Sequence, residues 1–255
     1  MKRFTILTSI LWVVTLFPIM GQTRVIAHRG FWNCPHSAQN SLTSLFKADE
    51  AHVFGSEFDV IITKDNVPII HHDDSINHVL IENANFEEIR NNLLENGESV
   101  PTLEQYLHAG SLCPQTKLIL EIKPHYSIAN ENRAVKKTLE LIRKYNMEKQ
   151  IYFISFSMNV CEELHKNAPN ASIAYLNGDI TPKEIAAKGL TGIDYQYEII
   201  YKHPEWIKEA HNNGLNVNVW TVNTKKDIKK LNKMGVDYIT TNNPIEALQI
   251  LKLVP

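Results

Sequence analysis

The 255-residue chain carries three cysteines, Cys34, Cys113 and Cys161, and no two are spaced as CxxC. That pattern excludes a zinc ribbon and a disulfide framework, and the odd count leaves at least one thiol unpaired if the chain is exported. Whether two of them pair stays open. Basic charge is not in excess. The formal net charge is −2, and it becomes more negative once Lys2 and Arg3 are removed. Without long runs of one sign there is no electrostatic footprint for nucleic acid. No glycine-rich turn follows the first strand pattern, which argues against a doubly wound dinucleotide-binding sheet. Beyond the first 21 residues no segment is apolar enough to span a bilayer.

Those first residues read MKRFTILTSILWVVTLFPIMGQ. A basic start, an apolar stretch and small Gly21 are the layout of a secretory signal peptide, residues 1–21, cleaved after Gly21. An uncleaved membrane anchor is the alternative, although the run is short for a bilayer and contains Thr and Ser. The reading is therefore an exported protein, periplasmic or secreted, with no stable membrane insertion after cleavage and a single domain over residues 22–255.

The remainder alternates. Strand patterns occur at TRVIAH (23–28), SEFDVIIT (56–63), KLILEIK (117–123), QIYFISF (150–156), ASIAYL (171–176), GIDYQY (192–197), NVNVWTV (216–222) and DYITT (237–241). Helical patterns at 40–52, 131–146, 159–168, 183–189, 205–213, 225–235 and 244–253 separate them, the last with Asn243 as N-cap and Pro244 at the first helical position. Alternating strand and helix implies a parallel sheet, and eight such units imply a closed (β/α)8 TIM barrel. Between the second and third strands lie VPIIHH (67–72), a helix-like NFEEIRNNLLEN (85–96) and TLEQYLHAG (102–110), a small elaboration on one barrel loop.

In such a barrel chemistry sits at the C-terminal ends of the strands. Here those ends carry His28-Arg29-Gly30, Glu57 and Asp59, Glu121 and Lys123, and Trp220, whereas parallel strands are ordinarily apolar throughout. Side chains alternate along a strand, so Glu57 and Asp59 share the inward face and the same parity puts Glu121 and Lys123 together, with Phe58, Val60, Leu120 and Ile122 opposite. Three carboxylates converging on one mouth repel each other unless a cation holds them, and all-oxygen ligands suit Mg²⁺ or Ca²⁺. A salt-bridge network with Arg29 and Lys123 is the alternative. Arg29 and Lys123 beside a hard cation suit a phosphate group, and His28 and His72 can supply acid and base near neutral pH.

The segments AHRG (27–30), SEFDVIITKDNVPIIHHDDSI (56–76), VPTLEQYL (100–107), LILEIKP (118–124), ISFS (154–157), VNVWTVN (217–223) and GVDYITTNNP (235–244) occur in that order. The series resembles the glycerophosphodiester phosphodiesterase family over essentially the whole exported part. The resemblance implies a TIM barrel that hydrolyses small-molecule glycerophosphodiesters to an alcohol and sn-glycerol 3-phosphate with one divalent cation, Mg²⁺ or Ca²⁺. It assigns His28 and His72 as the acid/base pair, Glu57, Asp59 and Glu121 as metal carboxylates, and Arg29 and Lys123 to the phosphate. Trp220 either lines the pocket near the glycerol or leaving group or packs the core. It implies no oligomeric state.

Two positions depart from the family pattern. Gln39 stands where a glutamate is usual; its amide oxygen can still ligate a hard cation, with one negative charge lost, so metal affinity or choice is expected to differ. Asn242 stands for an aspartate near the last strand, a change in the residues supporting the site. Gln39 and Asn40 could also do no more than open the first helix. Within PIIHHDDS (68–75), alternation allows only one histidine to face the site; the resemblance selects His72, leaving Asp73 to orient the loop or an imidazole and Asp74 as a solvated turn residue. Two other functions remain in view: a phospholipase C- or D-like phosphodiesterase acting on intact lipid, favoured by an apolar rim at the mouth, and an exported protein that binds phosphodiesters without cleaving them.

Overall fold

The computed structural model describes residues 22–253, so the expected leader lies outside the described residues. The strands are β1 Arg24–Ala27, β2 Gly55–Ile62, β3 Pro68–Ile70, β4 Ser75–Ile76, β5 Val79–Leu80, β6 Lys117–Ile122, β7 Ile151–Ser155, β8 Ser172–Tyr175, β9 Gly192–Gln196, β10 Asn216–Trp220 and β11 Tyr238–Thr241. The α-helices are α1 Leu42–Glu50, α2 Phe86–Ile89, α3 Leu103–Ser111, α4 Ile128–Lys144, α5 Met158–Asn167, α6 Pro182–Ala187, α7 Tyr197–Lys202, α8 Glu205–Asn212, α9 Lys225–Met234 and α10 Pro244–Leu251.

Eight parallel strands run in the order β1-β11-β10-β9-β8-β7-β6-β2, and pairing of Ile26 with Gly55 and Ala27 with Ser56 closes the ring. The protein is a (β/α)8 barrel. β3 is added antiparallel to the upper part of β2, pairing Val60 with Ile70 and Ile62 with Pro68. It returns the chain toward the barrel mouth, where the backbone N–H of His71 donates to the Asp59 carbonyl at 3.1 Å.

Every residue of β2 is buried, and the strand is two-faced. Phe58, Val60 and Ile62 join the layer between sheet and helices, together with Leu118, Leu120 and Ile122 of β6. Phe58 stacks on Tyr106 of α3 with centroids 4.2 Å apart. Truncating such a ring costs roughly 3–5 kcal/mol, so this contact fixes the strand whose other face carries Glu57 and Asp59. The barrel interior has its own smaller apolar set, including Ile26, Ile119, Ile154, Leu176 and Tyr238.

Helix starts follow local chemistry. Ser41, Thr102, Ser127, Ser157, Thr181 and Thr224 each accept a backbone N–H of the first turn. Asn243 precedes Pro244 as expected, but its side chain makes no capping bond and instead accepts from Asn33 Nδ2 at 3.0 Å. Several elements differ from expectation, among them the short hairpin of β4 and β5. Of the helical stretch foreseen over 85–96, only α2 forms, because Leu93 bridges to Ser99 and the chain turns at Gly97 with φ 86°. α7, directly after β9, was not foreseen: its six residues are too few for a clear helical period. Cys34, Cys113 and Cys161 are all free thiols.

Candidate active site

Beyond β1 the chain turns sharply through Arg29 and Gly30, with φ of 54° and 76°. A Cβ at position 30 would collide with Ser44 of α1, so glycine lets the turn close onto the helix. The turn directs the Arg29 N–H to Glu57 Oε2 at 2.7 Å. One carboxylate is thereby anchored to the adjoining strand's loop.

The register pairs Asp59 with Glu121, and alternation brings Glu57 to the same face. One carboxylate oxygen from each of the three lies within 4.8 Å of the others, and all three residues are buried. Asn40, at φ 61°, grips Asp59 twice: its Nδ2 donates to Asp59 Oδ2 at 2.9 Å and its Oδ1 accepts the Asp59 backbone N–H at 3.2 Å. Lys123 Nζ stands 2.9 Å from Glu121 Oε1 and 3.4 Å from Asp59 Oδ1, and Arg29 Nε 3.7 Å from Asp59 Oδ2.

Burial and the Asp59 charge push the Glu57 carboxyl well above the ordinary carboxylate range, and the same two causes bring Glu121 to about 7. Asp59 is held low despite its burial, by Lys123, His72 and the Asn40 hydrogen bond. Two acids pushed up around one held down mean that Lys123 and Arg29 do not balance the negative charge. A hard divalent cation among these oxygens would do so, and the donor set fits Mg²⁺ or Ca²⁺.

The histidines flank this cluster. His28 Nδ1 is 2.7 Å from Asn242 Oδ1, and His72 Nδ1 is 2.7 Å from Asp73 Oδ1. Both partner atoms only accept, so each Nδ1 carries the hydrogen and each Nε2 is left free. Burial and the Arg29 charge lower His28 to about 4. His72 is lowered too, first by burial, but Asp59 and the hydrogen bond to Asp73 oppose the shift. Asp73 thus supports an imidazole, as expected. Asp74 is more than a solvated turn residue, since its carboxylate accepts the Tyr126 hydroxyl at 2.9 Å.

A cavity of about 270 Å³ opens at the strand C-termini and brings together His28, Arg29, Glu57, Asp59, His72, Glu121, Lys123 and Trp220. Its other wall is apolar, built from Ile154, Phe156, Leu176 and Trp220. Trp220 sits edge-on to Phe156, centroids 5.5 Å apart, and its Nε1 donates to the Asp194 carbonyl at 2.9 Å. Gln39, expected among the metal ligands, lies in an adjoining depression with His71, Leu93 and Glu95, and its amide oxygen accepts from Arg29 Nη1. His71 turns to the Asp73 carbonyl at 3.0 Å.

Sequence reasoning missed two polar residues of the site. Asn40 owes its role to a backbone turn and to a partner 19 positions away. Asp194, 1% exposed, lines the cavity from β9, and burial pushes its carboxyl up to about 7. Its signal was present: an acid flanked by Ile193 and Tyr195 on a buried strand.

The glycerophosphoryl diester phosphodiesterase family model matches residues 28–246. The chain belongs to that family. A glycerophosphodiester phosphodiesterase from Parabacteroides distasonis, known from its crystal structure, is 39% identical, with 91% of this chain and 98% of that one covered and a TM-score of 0.90. A glycerophosphodiester phosphodiesterase from Caldanaerobacter subterraneus subsp. tengcongensis is 26% identical over 249 residues, 91% of this chain and 98% of the relative. A phosphodiesterase from Oleispira antarctica, solved with its product sn-glycerol-3-phosphate, is 20% identical over 91% of this chain and 97% of that one, with a TM-score of 0.78, and shares the fold. Family membership makes the protein a phosphodiesterase.

Proposed function

We propose that the protein hydrolyses glycerophosphodiesters to sn-glycerol 3-phosphate and an alcohol, using a divalent cation and the two histidines. The observation that carries this reading is the placement of two imidazoles, each with Nδ1 committed and Nε2 free, on one cavity with a buried three-carboxylate cluster. A cation held by Glu57, Asp59 and Glu121, Mg²⁺ or Ca²⁺, supplies charge stabilisation for the phosphate oxygens. Arg29 and Lys123 bind the phosphate and offset charge as phosphorus becomes five-coordinate.

The environments of the histidines separate their roles. His28 rests against a neutral amide and is the more strongly held in its unprotonated form, which suits it to take the proton from the nucleophile, water or the adjacent glycerol hydroxyl. His72 has the Asp73 carboxylate behind it, which stabilises an imidazolium and suits it to protonate the leaving alkoxide. The N-terminal pattern supports export as the route by which the enzyme meets extracytoplasmic substrates.

The test is turnover of a panel of glycerophosphodiesters after chelation, with Mg²⁺ or Ca²⁺ added back. Wild type should recover activity with one of them, and His72→Ala should be inactive with an unchanged fold. Near-full activity of that variant sinks the assignment. One observation favours a second reading, action on intact lipid: Leu93 and Tyr126 in loops and Ile128 at the start of α4 are 64–71% exposed, and Leu93 lines the depression that also holds His72. Faster cleavage of lipid in vesicles than of water-soluble diesters would favour it.

A further inference from the structure

Asp194 is the one acid of the cavity that neither the carboxylate cluster nor the imidazole pairs employ. Ile193 and Tyr195 pack outward against the helices, so strand alternation turns Asp194 into the barrel. There it sits beside Asn218 of β10 in register. The Asn218 amide donates from Nδ2 to Thr240 Oγ1 at 2.9 Å, accepts the Val219 N–H on Oδ1 at 2.9 Å, and serves the Asp194 carboxyl through a hydrogen bond that leaves one Asp194 oxygen unmet. Asp194 Oδ1 is buried with no hydrogen-bond partner. Such an atom costs free energy unless something completes it, which in a substrate cavity points to a ligand group.

The surroundings say which part of a diester that would be. An anionic phosphate is drawn to Arg29 and Lys123 across the cavity, away from Asp194. The Trp220 indole is tied through its Nε1 to the carbonyl of Asp194 itself, so an apolar face and an unsatisfied carboxyl stand side by side. A short polyol, with carbon–hydrogen faces and hydroxyl edges, fits that pair. A hydroxyl both donates and accepts, so it completes Asp194 whether the carboxyl is protonated or not. The variable alcohol then lies on the open side, in the depression holding Leu93, Leu94 and Glu95 beside His72.

We propose that Asp194 binds the glycerol hydroxyls of the substrate and sets selectivity for glycerol-containing diesters, an inference that rests on the phosphodiesterase reading above. The alternative is that a buried water in the small inner cavity, about 30 Å³, completes Asp194 from below.

The experiment compares wild type, Asp194→Leu, Asp194→Ala and Asp194→Asn. Turnover of glycerophosphocholine is measured against bis(p-nitrophenyl) phosphate, and binding of sn-glycerol 3-phosphate against ethyl phosphate by calorimetry, with melting curves for each protein. Asp194→Leu should raise KM for glycerophosphocholine and weaken sn-glycerol 3-phosphate about tenfold, leaving the two glycerol-free ligands within about threefold. Asp194→Asn, which can still meet a hydroxyl, should retain most of the discrimination, and Asp194→Ala provides the ratio if the leucine variant does not fold. Unchanged selectivity, or equal loss on all four ligands, overturns the assignment and leaves Asp194 as an interior residue completed by water. If wild type neither cleaves nor binds the glycerol compounds, the phosphodiesterase reading falls first.

Discussion

Asn40 and Asp59 are joined by two hydrogen bonds of opposite sense, one to the carboxylate at 2.9 Å and one from the backbone N–H at 3.2 Å. The pair couples the loop after β1 to the strand that carries the acids, and it fixes both the height and the rotation of Asp59. Asparagine suits the position twice over, since its amide offers donor and acceptor and its backbone tolerates φ 61°.

Removing this clamp tests whether it prepares the cation site. Asn40→Gly keeps the left-handed backbone and deletes both bonds. Outer-sphere partners of this kind are worth about 10–100-fold in metal affinity. Mg²⁺ or Ca²⁺ affinity, titrated by calorimetry, is expected to drop at least tenfold, with a melting temperature lower by a few degrees. Unaltered affinity would mean that Lys123 and the strand alone position Asp59.

Asp73 provides the test of proton delivery. If His72 protonates the leaving group, Asp73→Asn weakens the imidazolium and slows diesters that release a poor alcohol leaving group. It should cost ~10-fold or more in kcat with glycerophosphocholine or glycerophosphoethanolamine, and little with a p-nitrophenyl ester, whose leaving group needs no proton. Equal losses on both would assign Asp73 to loop structure instead.

Asn242 bears on the other imidazole. Asn242→Asp places a carboxylate on His28 Nδ1 and raises a pKa that now lies at about 4. The neutral base is then confined to higher pH, so the acid limb of the kcat/KM profile should move up by about one unit or more. Activity at pH 5 falls relative to pH 8. A limb that stays in place would show that His28 is not the base.

The barrel itself was legible because each strand reads apolar on one face and helical patterns separate the strands in regular alternation; the Ser and Thr caps that open the helices were not foreseen, and the one expected cap, Asn243, makes no capping bond. The acids at 57, 59 and 121 were equally plain, since charge on a buried strand is costly and so conspicuous, whereas His72 was singled out from its neighbour His71 only by the resemblance to the family. Asn40 was opaque for a different reason. A polar residue at a helix start has an ordinary explanation, and only the turn geometry shows that Ser41 caps α1 while Asn40 faces inward to Asp59. Gln39 illustrates the same gap, because nothing in its spacing indicates that Arg29 takes its oxygen.

Glu121 links this charge balance to stability. Its folded-state pKa of about 7 lies above the ordinary value of 4.5, raised by burial and by Asp59. The fold therefore favours the protonated acid: that contribution is complete below about pH 4.5 and is lost as pH rises through 7. His28 works in the opposite sense, its contribution being complete above 6.5 and lost as pH falls toward 4. Between pH 5 and 6.5 the two partly cancel in the metal-free protein. Above pH 7 His28 adds nothing further, and the ionised Glu121 weighs against the fold. A cation binds only the ionised carboxylates, so protons compete with it at low pH. The rise in melting temperature on adding saturating Mg²⁺ or Ca²⁺ should thus be small at pH 5.5 and larger by several degrees at pH 8. Glu121→Gln, with one titrating ligand removed, should flatten that dependence. An increment equal at both pH values would separate the cation site from this carboxylate cluster.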